Sequence, residues 1–131
     1  NSTILTKIEE LANKVIYDTG NNQYGNWIKY AGGTMIVTRD NIRRAINIDK
    51  PWGPLFAGVT NESFKYSQEF IEEPFIMTKV LINGDTAFLE CQYVKQVVGT
   101  RSFSGISLVR PTLIYNVPIK ISFIAIGKWK K

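Results

Sequence analysis

Glu69, Glu72 and Glu73 come nearest to an acid–base constellation, because glycoside hydrolysis works with two carboxylates facing one cleft. Adjacent glutamates ahead of Pro74, however, describe a surface loop rather than two opposed walls, so no catalytic pair is expected there. The chain contains no histidine, which removes the commonest general base, the usual metal ligand and every histidine-dependent triad. A single cysteine, Cys91, excludes an internal disulfide and a multi-thiolate metal site within one chain. It stands in the alternating series Ala87, Leu89, Cys91, Tyr93 and reads as a buried packing thiol. This inventory predicts no enzyme, no metal and no cofactor.

A formal net charge of +5 raises the expectation of an anionic partner. The basic residues cluster only locally, at Arg39, Arg43 and Arg44 and at Lys128, Lys130 and Lys131, and elsewhere alternate with acids as a solvated face would. They are not interleaved with aromatics along one strand, so a small basic nucleic-acid-binding β domain is an alternative and no nucleic-acid partner is expected. No apolar run approaches the ~20 residues of a membrane span, and no membrane insertion is expected. The chain opens on Asn1 with no basic segment leading into an apolar one, so no signal peptide is expected; it reads as processed or as an excerpt.

One helix is predicted, from Ser2 to Tyr17, with Ser2 or Thr3 as cap and Gly20 as stop. Its apolar residues Ile4, Ile8, Leu11 and Val15 are spaced four, three and four apart, the period of a coiled-coil seam. Two heptads are marginal alone, so the seam packs either on its own domain or into a parallel coiled coil. Residues 1–20 are thus assigned to a helical stem and 21–131 to a β head.

The head reads as antiparallel strands. Trp27 to Tyr30 and Met35 to Val37 make a hairpin in which Gly32 and Gly33 supply positive φ angles. Asp40 to Thr60 is expected to be irregular, with a possible helical turn at Asn41 to Ala45. Strands follow at Ser63 to Phe70, Phe75 to Asn83, Thr86 to Val94 and Arg101 to Val109, before the closing strand. That last strand carries Val117, Ile119, Ile121, Phe123 and Ala125 on one face and Ile124 and Ile126 on the other. Apolar residues on both faces imply a sheet covered on both sides, and a second copy of the chain is a candidate for the outer cover. Trp27, Phe123 and Trp129 are read as structural.

The hairpin Asn26-Trp27-Ile28-Lys29-Tyr30-Ala31-Gly32-Gly33-Thr34-Met35-Ile36-Val37, then Trp52-Gly53, Glu73-Pro74-Phe75, Arg110-Pro111 and the closing Ile124-Ala125-Ile126-Gly127-Lys128-Trp129-Lys130 stand in a distinctive order. In that order they resemble the C-terminal receptor-binding domain of bacteriophage tail-fibre and baseplate-tip proteins. The resemblance implies an all-β, H-type lectin-like antiparallel sandwich preceded by a short coiled-coil helix. It also implies a parallel homotrimer in the virion that joins upstream tail-fibre or baseplate proteins and attaches to a host surface polysaccharide or teichoic acid. On this basis Ile4, Ile8, Leu11, Val15, Ile124 and Ile126 are candidates for the trimer interface. Saccharide binding calls for an aromatic face and planar polar groups, so Trp52, Tyr66, Tyr93, Arg101, Arg43 and Arg44 are the candidate ligand residues. A structural trimerisation cap that binds nothing is the other alternative.

Overall fold

The structure is a computed structural model that describes residues 3–8 and 15–131. Residues 3–8 are helical, and the strands among the described residues are twelve. They are β1 (Ile16–Asn22), β2 (Gly25–Tyr30), β3 (Thr34–Ile48), β4 (Lys50–Trp52), β5 (Leu55–Val59) and β6 (Phe64–Lys65). The second half holds β7 (Phe75–Ile82), β8 (Leu89–Cys91), β9 (Val97–Val98), β10 (Ser102–Ser104), β11 (Ser107–Arg110) and β12 (Ile114–Lys128). The chain is all-β, and its sheets are antiparallel: β1-β2-β3-β12-β7, β4-β5-β11-β8, and the small β6-β10-β9.

The predicted hairpin forms as β2 and β3, with Trp27 opposite Val37 and Lys29 opposite Met35. Of the two turn glycines, Gly33 takes the left-handed backbone, at φ 106°, and its amide donates to the Tyr30 carbonyl to close the turn. Alternation in β12 is as expected: Val117, Ile119, Ile121, Phe123 and Ala125 are all buried. They join Met35, Val37, Ile42, Ile46 and Ile48 of β3 in a core closed from the other side by Phe64, Tyr66, Phe70, Phe103 and Leu108.

Several expectations are corrected. The segment 40–60 is not irregular and carries no helical turn at 41–45, because β3 runs on through it to Ile48 and β4 and β5 follow. Two residues, Asp40 and Asn41, oppose Ser122 alone, and this β-bulge moves the buried side of β3 from odd residues, Met35 and Val37, to even ones, Ile42, Ile46 and Ile48. Asn41 takes φ 60°, a conformation that asparagine tolerates better than most residues. A matching bulge at Tyr115–Asn116 does the same to β12, with Asn116 at φ 54° and its amide donating to Asn47 Oδ1 at 2.9 Å.

The helix does not reach Tyr17, and Gly20 does not stop it. Ile16 and Tyr17 belong to β1, so the head sheet takes in residues assigned to the stem. Gly20 lies opposite Trp27, whose indole covers it so closely that any Cβ would overlap the ring. Leu11 of the predicted seam lies outside the described residues. The strand expected over 63–70 is confined to Phe64–Lys65, the one over 86–94 to Leu89–Cys91, and Gly105 at φ 98° divides the one over 101–109. Cys91 is half-buried rather than enclosed.

Trp129 closes the molecule. Its indole N–H donates to the Tyr30 carbonyl at 2.8 Å, and its ring stacks on Tyr17 at 4.7 Å with Lys29 and Lys130 over it. This packing accounts for its structural role.

Candidate functional site

Of the residues proposed to meet a ligand, Tyr66 is removed by the fold. It is 2% exposed, with its ring among Phe70, Phe103 and Phe123, so no surface ligand reaches it. Its hydroxyl has no hydrogen-bond partner among the described residues, and burial, with Glu73 nearby, pushes its pKa upward. Phe64 and Tyr66 share a side of the chain, and an aromatic on the core side of a strand is a packing group.

Trp52 and Tyr93 do meet. Their rings are in edge contact at 5.8 Å, and Trp52, 46% exposed on β4, presents an aromatic surface to solvent. The arginines scatter. Arg101 pairs with Glu69 at 3.1 Å on an exposed surface, which contributes little and leaves neither group in a cleft. Arg43 is exposed and donates to Asn41 Oδ1 at 3.1 Å, beside the bulge.

Arg44 alone belongs to a concave site. β2 pairs with β3 only as far as Thr38, so further along that side of β3 has no partner strand from β2. The end of β5 comes close to it instead, because Gly58 leaves room for the Asn47 carbonyl and the Ile48 backbone. Between them lies a cleft of about 340 Å³, whose polar lining comprises Arg44, Asn47, Asp49, Lys50, Asn61 and Glu62, with Thr60 beside them. Arg44 grips Glu62 through two hydrogen bonds of 2.7 Å, and its third donor reaches the Arg43 carbonyl at 2.8 Å. The guanidinium fork holds the Glu62 carboxyl below its ordinary range, its hydrogen bonds outweighing the opposing desolvation; Arg39 adds a weaker pull. Thr60 is nine-tenths buried, and its hydroxyl has no partner among the described residues.

Asn47, Asp49, Lys50, Asn61 and Glu62 were not foreseen as site residues. The signal for two of them was present: Ile42, Ile46 and Ile48 alternate, and a strand through them turns Asn47 and Asp49 away from the core.

The outer face of the five-stranded sheet is a different kind of surface. Across it the register sets Ile28, Ile36, Ile126 and Phe75 in one row, and Thr38, Ile124 and Met77 in the next. Phe75 is 65% exposed, Met77 57% and Ile126 38%. Beyond the bulge the face becomes mixed: Lys120 lies between Arg43 and Leu81, Pro118 lies opposite Ala45, and Ser122 opposite Lys79 donates to Asp40 Oδ1. That hydrogen bond, then one from the Asn41 amide, keeps the Asp40 carboxyl below its ordinary range. Ile4, Ile8 and Val15 are also more than half exposed, so these seam residues are not covered by the head.

Comparison with protein-family models, with curated proteins and with solved structures finds no match to this chain.

Proposed function

We propose that this chain is the head of a bacteriophage tail-fibre or baseplate-tip protein, which attaches the virion to a saccharide on the host surface. The observation that carries the reading is the separation of two surfaces: an uncovered apolar sheet face suited to assembly, and a shallow polar cleft with an exposed tryptophan near it. The motif resemblance supports the same reading. The finer architecture belongs to it too: an H-type lectin-like sandwich, entered from a coiled-coil stem and assembled as a parallel homotrimer. In that assembly the Ile36, Ile126 and Phe75 row is covered by neighbouring copies, since apolar area of this kind is stabilised by removal from water. The head acts by binding and carries no catalytic step.

Whole-cell binding tests it. A fluorescently labelled head should be retained on intact cells of some strains in a panel of bacteria, and free head should compete with it. Absence of retention across the panel would leave the chain a trimerisation cap.

A further inference from the structure

We propose that the cleft between β3 and the 59–62 segment is a site for an uncharged sugar ring, held through its hydroxyls by Asn47, Asp49, Lys50 and Asn61. This rests on the attachment reading and adds to it a place and a ligand class. The lining charges balance, with Arg44 and Lys50 against Asp49 and Glu62. Arg44 is already committed to Glu62, so the fork best suited to a phosphate is not free for one. What is left is a set of dissimilar groups: the amides of Asn47 and Asn61, the carboxylate of Asp49 and the ammonium of Lys50. Among the described residues, the side chains of Asp49, Lys50 and Asn61 make no hydrogen bond, and Asn47 uses only its oxygen, as acceptor from the Asn116 amide. Donors and acceptors interspersed at short range suit a polyol, whose every hydroxyl both donates and accepts; a polyanion would need an excess of cations.

The cleft is also prepared in advance. The doubly hydrogen-bonded Arg44–Glu62 pair stiffens one wall. A volume of about 340 Å³ lies at the small end of ligand sites, which fits one or two sugar units rather than a long chain segment. Lys50 and Trp52 lie on the same side of β4, roughly 6.6 Å apart along the strand, so the exposed indole can stack on the next unit.

The test uses the whole chain. Binding is measured to immobilised neutral oligosaccharides ending in glucose, galactose, N-acetylglucosamine, N-acetylgalactosamine or rhamnose, and to poly(glycerol phosphate), at 50 and 500 mM NaCl. At least one neutral probe should be retained, with affinity changing less than about twofold between the two salts, because uncharged ligands escape screening. Asn61→Ala and Asp49→Asn should each weaken it about tenfold or more, the order of one lost hydrogen bond to a desolvated partner, with unchanged melting temperatures. Lys120→Ala, on the outer sheet face, should bind as the parent does. Retention of poly(glycerol phosphate) alone, lost at high salt, would overturn the proposal in favour of an anionic glycan. Equal retention by the cleft variants would move the site elsewhere while leaving attachment intact. If no neutral probe is held the proposal fails, and retention on cells then decides whether attachment fails with it.

Discussion

The two ends of the paired strands β3 and β12 share one inner core and differ outside. Toward the hairpin, Ile36 faces Ile126 and Thr38 faces Ile124, with Phe75 and Met77 on the flanking strand. Past the bulge, Arg43 faces Lys120 and Ala45 faces Pro118. Like charges directly across a strand pair destabilise it, and uncovered isoleucine rows expose area that water disfavours, so neither end is arranged for the isolated sheet alone. Between them stand Asp40 and Asn41, two residues set against one. The bulge lets the inner face remain continuous while it resets which residues point outward, so one ribbon presents an apolar end and a charge-bearing, mixed end without a break in its core.

The strongest way to break this comparison is to change the residue count of β3 beyond the bulge. Inserting one alanine between Ile42 and Arg43 should send Ile46 and Ile48 to the wrong face and abolish cooperative unfolding as followed by circular dichroism, whereas deleting Asn41 leaves Asp40 alone opposite Ser122 and should keep Ile42, Ile46 and Ile48 inward. Asn41→Gly, which keeps the positive φ, should change stability by less than about 1 kcal/mol. If the insertion variant melts like the parent, the residue count along β3 does not set the parity.

A smaller effect, on assembly rather than folding, separates the two ends. Ile126→Asp should convert an oligomer into a monomer at micromolar concentration in sedimentation velocity, because burying an unpaired carboxylate costs several kcal/mol, roughly a hundredfold or more in association. Lys120→Asp should leave the distribution unchanged. A parent that is already monomeric, or equal effects of the two changes, would show that the apolar end is not a subunit contact.

The smallest effect concerns the Arg44–Glu62 pair. Glu62 has a folded pKa below its unfolded value near 4.5, so its contribution is present above that pH and disappears only as the pH falls through the lower folded value. The melting temperature of Glu62→Gln should therefore lie below the parent's by a constant, small amount, about 1–2 °C, from pH 8 to 5, and converge with it below pH 4. Convergence already between pH 7 and 5 would contradict the lowered pKa.

Much of the fold was legible in the residues. The β12 alternation and the glycine turn of the first hairpin act through neighbours along the chain and across one turn, which a sequence displays directly. The 40–60 segment was not, because Asp40 and Asn41 interrupt the period of two, and a run that changes parity looks like no strand at all. The cleft was hidden for the same reason: Arg44 was visible as a guanidinium, while Glu62, its partner 18 residues away, was invisible as one. Tyr66 failed in the opposite direction, since its type suits a sugar site and only its depth among Phe70, Phe103 and Phe123 excludes it.

Taken alone, the sequence determined an all-β chain whose final strand is apolar on both sides, since alternation and turn chemistry are local properties of the chain. Which isoleucines are enclosed and which remain outside, and which charges share a cleft, was decided by the tertiary structure. Two bulges and the pairing of strands far apart in sequence set those faces, and a one-residue change of register exchanges every inward side chain for an outward one.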